Sequence, residues 1–310
     1  MNSYLPEGVL ISTQKNKDYT STLAGLERAY EQGIILEANA LLCDHELNLH
    51  LDLPLGIRAI IPKDEAIYTP TGEITKDIAI LTRVGKPVCF KVIDIKASRD
   101  STTVILSRRA AQEECHLNYT SRLTPGDIIK AKVTHIENFG AFADIGCGII
   151  SLLSIDSISV SRINHPSERL SVQELLYAVV KGRDELGRIN LSTRELLGTW
   201  DENASLFQEG ETVRGTVRGV ESYGIFVELT PNLAGLAEYK ENIKSGQRAA
   251  VYIKSIIPEK MKVKLIIIDT HDKDETKASL DYFIDVSETK HIDRWRYSPE
   301  KSGRLIESIF

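Results

Sequence analysis

The chain repeats part of itself: residues 126–153 read GDIIKAKVTHIENFGAFADIGCGIISLL, and residues 210–237 read GETVRGTVRGVESYGIFVELTPNLAGLA. The two stretches align without a gap. In both, apolar and polar residues alternate over short runs bounded by Gly, Asn or Pro, which is typical of half-buried antiparallel strands. Short strands in units of roughly 70 to 80 residues, each with its own core, favour a small closed barrel over a sandwich. The repeat therefore predicts an all-β protein.

A more degenerate copy lies upstream. Residues 36–62, LEANALLCDHELNLHLDLPLGIRAIIP, match the pattern when Asp52 is placed opposite Asp144. The closing stretches also correspond, because VILSRRAAQ, ending at Gln112, parallels INLSTRELL, ending at Leu197. In each, the Leu-Ser pair is expected to close a unit and open a helix. Ser192 and Glu195 have capping-box spacing, and Leu196 and Trp200 would lie one turn apart on a helix leading to the third copy.

These copies divide the chain into five segments. We expect an N-terminal segment with a docking helix at 1–32, a degenerate first barrel at 33–112, a second barrel with a preceding helix at 113–199, a third barrel at 200–269 and a C-terminal extension at 270–310. The docking helix is predicted from helically spaced Leu23, Leu26 and Tyr30, with Ser21 or Thr22 as cap and Gly33 as stop. Residues 66–84 are predicted to be an inserted loop with some strand character.

The composition is that of a folded protein. Of 310 residues, 42% are hydrophobic and 26% are charged, and the net charge is −6, so a nucleic-acid site would have to be a local basic patch. The N-terminus lacks the basic start and apolar stretch of a secretory signal, and no run of about 18 apolar residues follows. We therefore expect a cytoplasmic protein with no membrane partner. Four scattered cysteines without a CxxC pair predict neither a zinc site nor a disulfide framework.

The second copy carries a known family's motifs. NFGAFADIG, GIISLLSIDSIS and GRINLSTREL resemble the RNA-binding domain named after bacterial small-subunit ribosomal protein S-one. The resemblance extends from Gly33 to Asp269, and the whole chain is similar to the shorter family members of clostridia-like bacteria. It implies three tandem five-stranded OB-fold barrels joined by short helices. It also implies binding of single-stranded mRNA in association with the small ribosomal subunit.

Strand alternation predicts an RNA-binding face independently of the family. Ala141 and Ala143 would point inward, while Phe142 and Asp144 would share the outer face. An exposed ring beside a carboxylate suggests a platform on which bases stack, at about 1–3 kcal/mol per base. Phe139 precedes a glycine that could turn its ring to the same surface. Alternatively, these rings could simply fill the barrel.

The third copy repeats this arrangement. Phe226 and Glu228 would face outward, and Tyr223 again precedes a glycine. The duplication of an aromatic residue at one offset favours the binding interpretation. Candidate phosphate contacts in the two copies are Lys130, Lys132, Arg188, Arg194, Arg214, Arg218, Lys260, Lys262 and Lys264. Each of these cations could instead be a solvated strand residue.

The first copy lacks this platform. Its outward positions would be Asn48, His50 and Asp52, and its aligned aromatic positions are occupied by Leu47 and His50. It is therefore expected to dock on a protein or on the ribosome. The turn histidine of the family is replaced by Ser154 in the second copy and by Glu238 in the third, which weakens the expectation of RNA affinity there.

No catalytic motif is present in the sequence: there is no P-loop, HExxH, GxSxG or dinucleotide fingerprint. We expect no enzymatic activity, no cofactor and no metal, since His45 and His50 beside Asp44 form only a loose cluster. The alternative function is a protein-interaction scaffold that regulates translation or RNA decay. A nuclease is a further alternative, but it would require clustered carboxylates. The aromatic residues at 282, 283, 295 and 297 could pack on the third barrel or extend the RNA surface beside Arg294 and Arg296.

Overall fold

The computed structural model describes residues 4–54, 57–69, 76–97, 102–272 and 280–310. Most strands in this part of the chain belong to three closed five-stranded barrels. In every barrel the strands follow the order first, second, third, fifth, fourth, and the third and fifth strands pair in parallel. The predicted all-β fold of three tandem OB-type barrels is confirmed.

The strand bounds follow the repeat. The first barrel consists of β1 Leu36–Cys43, β2 Leu49–Leu51, β3 Arg58–Ile61, β4 Pro87–Ala97 and β5 Thr102–Ser107. The second consists of β6 Ile128–Glu137, β7 Gly140–Asp144, β8 Ile150–Ser154, β9 Leu175–Arg183 and β10 Ile189–Ser192. The third consists of β11 Thr212–Glu221, β12 Gly224–Thr230, β13 Leu233–Ala237, β14 Arg248–Ile257 and β15 Lys262–His271.

Period-2 alternation explains why these segments are strands with one buried face. In β15 the side chains of Val263, Leu265 and Ile267 are buried in the core of the third barrel, while Lys262 and Lys264, on either side of Val263, are exposed. Successive side chains of a strand point to opposite faces, so this pattern places a row of cations on the outer surface.

Within the described residues, five short helices connect and flank the barrels: α1 Gln14–Thr20, α2 Leu23–Gln32, α3 Asp77–Leu81, α4 Arg108–Asn118 and α5 Trp200–Ala204. Single 3-10 turns lie at Lys63–Glu65, Thr120–Arg122, Ile155–Ser157, Pro166–Glu168, Arg194–Leu197 and Pro258–Lys260. The helix predicted from Leu23, Leu26 and Tyr30 corresponds to α2. Thr22 caps its N-terminus by accepting from the Gly25 amide, and Gly33 ends it with a left-handed φ of 61°, as predicted.

Two local predictions were wrong. The described part of the 66–84 insertion contains helix α3 rather than a strand; residues 70–75 lie outside the described residues. Leu196 and Trp200 do not share a helix, because the 3-10 turn ends at Gly198, whose φ is 82°, and α5 then starts with its own capping box of Thr199 and Glu202. Ser192 does contact Glu195, but no helix begins at that position.

The chain divides into two compact units: Met1–Leu123 with Asp144–Ile150, and Thr124–Ala143 with Ser151–Phe310. In the first unit, the loop 144–150 packs against the N-terminal segment. The Glu7 amide donates to Asp144 Oδ2 at 2.7 Å, and the Cys147 amide donates to the Leu5 carbonyl at 2.9 Å. Glu7 also forms a buried ion pair with Arg108, 2.7 Å between Oε1 and Nε.

In the second unit, the C-terminal extension ends in a hairpin of β16 Arg294–Arg296 and β17 Glu307–Ile309. Trp295 and Tyr297 are buried in the core cluster of the third barrel. Tyr282 instead contacts the second barrel, where its hydroxyl accepts from the Tyr177 amide at 2.9 Å. The predicted packing on the third barrel therefore holds for Trp295 and Tyr297, whereas Tyr282 packs on the second barrel instead.

Candidate nucleic-acid interface

An edge-to-face pair of aromatic rings lies on the surface of the second barrel. Phe139, 55% exposed, stands just before β7, and Phe142 is half-buried within that strand. Their ring centroids are 5.9 Å apart at an interplanar angle of 86°. His135 also stacks on Phe142, with ring centroids 6.4 Å apart at an interplanar angle of 19°. The three rings thus form an aromatic cluster on the surface of the second barrel.

The third barrel presents the same pair. Tyr223, 68% exposed, and Phe226 lie 6.1 Å apart at 86°. Gly140 and Gly224 make both pairs possible, because a Cβ at these positions would lie 2.5 Å from the Leu153 carbonyl oxygen and 2.6 Å from that of Ala237. Only glycine permits this close approach of neighbouring strands. The two copies therefore share the same ring pair and the same glycine beside it. Phe142 and Phe226 point outward, in agreement with the predicted direction.

The carboxylates next to these rings are buried, contrary to the prediction that they face solvent. Asp144 is 2% exposed and Glu228 is 6% exposed. Both lie on the outer side of their barrels, but other segments cover them. In the first compact unit, Asp144 accepts amide hydrogen bonds from Glu7, Gly146 and Gly148 at 2.7–3.0 Å. Chain segments distant in sequence therefore turn an outward position into an interior one.

Glu228 is held by two arginines. Arg169 Nη1 donates to Glu228 Oε1 at 2.8 Å, and Arg218 donates from Nε and Nη2 at 2.8 and 3.0 Å. Arg218 also pairs with Glu168 of the second barrel's 3-10 turn. Burial would raise the pKa of the Glu228 carboxyl, but the hydrogen bonds and charges of Arg169 and Arg218 outweigh it and hold that pKa below its ordinary value. The prediction of Arg218 as a phosphate contact is corrected: its guanidinium is committed to this buried network.

A groove of about 780 Å³ opens on the third barrel beside its aromatic pair. Cross-strand register places Phe226 next to Leu236, and Leu236 next to Lys264. Five basic side chains and two acidic ones line the groove together with Tyr223 and Phe226. The basic ones are Lys254, Lys260, Lys262, Lys264 and Arg304, and the acidic ones are Glu238 and Glu259. The structure thus brings the predicted Lys260, Lys262 and Lys264 together with the predicted rings.

Four other predicted cations, Lys130, Lys132, Arg188 and Arg214, lie outside this groove. Lys130 lies over the Tyr177 ring at 5.7 Å, and Lys132 is half-buried opposite Leu175. Arg188 is exposed and pairs with Asp184 at 2.7 Å. Arg214 is exposed on β11, outside the lining of the groove.

Arg194 faces the C-terminal hairpin rather than a groove. It contacts Glu195 at 3.1 Å and Ser308 at 3.1 Å, and its guanidinium lies 5.9 Å from the Trp295 ring centroid. These contacts contradict its prediction as a phosphate-binding residue, because they hold the side chain against the folded extension.

Sequence reasoning missed two cations, Lys254 and Arg304. Lys254 occupies the bulge at which β14 slips against β15, and Lys181 occupies the same bulge between β9 and β10. The similar strings YAVVKG and AVYIKS could have revealed this match. Arg304 had no local signal, since its position depends on how the C-terminal hairpin packs.

The first barrel has neither an aromatic pair nor basic residues at the corresponding positions. His50 takes the register position of Phe226, and its Nε2 lies 2.9 Å from Asp44 Oδ2. Ile93 occupies the bulge position that Lys181 and Lys254 fill elsewhere. This agrees with the expectation, drawn from the sequence, that the first copy has lost the platform.

Comparison with known proteins identifies the second barrel. Residues 122–194 match the family model described as S1 RNA binding domain. The second barrel is an S-one domain. This confirms the resemblance seen in NFGAFADIG and GRINLSTREL, and the strand order of the S-one barrel recurs on both sides of it.

The chain is similar to bacterial proteins named small ribosomal subunit protein bS1. It is 27% identical to the small ribosomal subunit protein bS1 homolog of Bacillus subtilis, covering 87% of this chain and 68% of the relative. It is 29% identical to the bS1 protein of Staphylococcus haemolyticus, covering 88% and 71%, and 28% identical to that of Rhizobium meliloti, covering 73% and 38%. The chain therefore spans only part of these proteins' length.

Within the described ranges, no group of three or more His, Cys, Asp or Glu side chains could hold a metal ion. No helix in that part of the chain is long and apolar enough to cross a membrane.

Proposed function

We propose that the protein binds single-stranded RNA, including mRNA, on the outer faces of its second and third barrels, in association with the small ribosomal subunit and without catalysing a reaction. The cytoplasm is the corresponding location. The observation that carries this proposal is the repeat-matched pair of exposed aromatic rings, Phe139 with Phe142 and Tyr223 with Phe226. The S-one domain match and the bS1 relatives support it.

The chemistry of these faces suits an unpaired strand. Every base has a π-face, so exposed rings bind bases of any sequence, each contributing about 1–3 kcal/mol. Lysines beside the rings attract the phosphates. Aromatic stacking requires unstacked bases, which a single strand offers and an A-form duplex does not.

Fluorescence anisotropy with a labelled single-stranded RNA tests the proposal. Phe139 and Tyr223 are the most exposed rings of the two pairs, so a Phe139→Ala/Tyr223→Ala variant should remain folded. We expect it to lose about 2 kcal/mol or more, roughly 30-fold in Kd. Tyr239→Ala is the matched control, because Tyr239 is 54% exposed but does not line the groove. Equal binding by both variants and the parent protein would contradict the stacking proposal.

We infer a different role for the first barrel, namely contact with protein. Leu41 and Leu42 at the end of β1 are exposed, and so is Ile93, which takes the bulge position that Lys181 and Lys254 fill in the other barrels. Leu41→Glu/Leu42→Glu should weaken cosedimentation with small ribosomal subunits and leave oligonucleotide binding unchanged. The opposite pattern would show that this barrel also binds RNA.

A further inference from the structure

The C-terminal hairpin is firmly anchored to the third barrel. Trp295 and Tyr297 are buried in the core cluster of that barrel, and the Tyr297 hydroxyl donates to the Asn232 carbonyl at 2.6 Å. Strands β16 and β17 pair from Arg294 to Arg296 against Ile309 to Glu307. The position of the turn between them is therefore fixed relative to the barrel.

This turn is itself ordered by local hydrogen bonds. The Tyr297 amide donates to the Ile306 carbonyl at 2.9 Å, and the Ile306 amide donates to Ser298 Oγ at 3.1 Å. Ser302 Oγ accepts from the Arg304 amide at 3.2 Å. Residues 302–304 line the groove that also contains Tyr223 and Phe226.

The charge of the groove favours an anionic ligand. The whole chain carries a net charge of −6, yet the groove lining has five basic and two acidic side chains. Arg304 contributes one of the five and comes from outside the barrel. Guanidinium groups bind phosphate through two parallel hydrogen bonds, so this residue type suits a phosphodiester.

We propose that the C-terminal turn, residues 302–304, forms a second wall of the RNA site on the third barrel, with Arg304 contacting a backbone phosphate of a strand whose base stacks on Tyr223. This inference rests on the proposed function and makes it more specific. The groove's volume of about 780 Å³ lies within the usual range for a small-ligand cleft, which is compatible with a short segment of single strand. The barrel whose turn carries Glu238 in place of the family histidine thereby gains a cation from the extension.

Three variants of the protein test the role of Arg304. Arg304→Ala should weaken binding of single-stranded RNA about five- to tenfold at low salt and reduce the slope of log K against log salt by about 0.7, the value for one phosphate contact on a single strand. Lys301→Ala is the matched control, since Lys301 is exposed in the same turn but does not line the groove. Arg304→Lys should restore most of the slope. Urea unfolding checks that all three variants keep the stability of the parent protein.

The outcomes separate this inference from the function on which it rests. If the parent protein binds RNA and loses affinity in the Phe139→Ala/Tyr223→Ala variant, but Arg304→Ala behaves like Lys301→Ala, the second wall is refuted and the stacking site stands. If the parent protein does not bind, both proposals are refuted. Crosslinking with 5-iodouridine RNA gives an independent readout: an adduct on Tyr223 is expected in the parent protein and should form less efficiently in Arg304→Ala than in Lys301→Ala, and equal yields in the two variants would also overturn the inference.

Discussion

Replacing Glu228 with Gln should strongly destabilise the second compact unit. The side chains of Glu228 and Arg169 are 7% and 6% exposed, and that of Arg218 is 11% exposed. Gln keeps the shape of the side chain but removes the negative charge that compensates two guanidiniums. Breaking a buried ion pair by removing one partner costs about 3–5 kcal/mol. Because Glu168 still pairs with Arg218, we expect a loss near the lower limit, about 3 kcal/mol.

Urea denaturation at pH 7 measures this loss. Glu307→Gln is the matched control, because it removes the carboxylate of a surface pair with Arg294, whose side chain is 57% exposed, and such pairs contribute about 0–1 kcal/mol. A loss of less than about 1 kcal/mol for Glu228→Gln would refute the reasoning, since the network would then add no more than a surface ion pair.

The loss of stability in Glu228→Gln should depend on pH. The folded-state pKa of Glu228 is lowered, against the effect of burial, by Arg169 and Arg218, so the unfolded state binds the proton more readily. The stabilisation from this carboxylate is therefore complete above the unfolded pKa of about 4.3 and is lost as pH falls through the folded pKa. The difference in unfolding free energy between the parent protein and Glu228→Gln should shrink as the pH is lowered below about 4. A constant difference would contradict this assignment.

Three other substitutions have defined outcomes. Gly224→Ala would place a Cβ 2.6 Å from the Ala237 carbonyl oxygen. We expect it to destabilise the third barrel by about 1–3 kcal/mol, measured by urea unfolding, and to weaken RNA binding. Asn232→Ala removes buried hydrogen bonds to the Val160 amide and to two carbonyl oxygens, and should cost about 1–3 kcal/mol, measured in the same way. Lys254→Ala should leave stability unchanged and lower the salt slope of RNA binding by about 0.7; an unchanged slope would remove Lys254 from the site.

The repeat allowed the architecture and the aromatic pairs to be predicted, because both are properties of local sequence. A period of two fixes which residues share a face, and Gly140 and Gly224 fix how closely adjacent strands approach. Neither depends on distant segments. The same period assigned Phe142 and Phe226 to the outer surface, where the structure has them.

The errors concern residues whose environment is set by distant parts of the chain. Alternation placed Asp144 and Glu228 outside, but it contains no information about Glu7 or Arg169, which cover them. Arg218 looked like a free strand cation for the same reason. Arg304 is the converse case, because a residue in a polar tail becomes part of the groove only through the burial of Trp295 and Tyr297.

The loop Asp144–Ile150 determines when the first compact unit can finish folding during synthesis. Its flanking strands β7 and β8 belong to the second barrel, yet the loop is part of the first compact unit, where it accepts from the Glu7 amide and from Gln112 Nε2. A nascent chain that ends at residue 123 therefore lacks part of its first unit. The N-terminal segment can reach its final hydrogen bonding only after residue 150 has emerged.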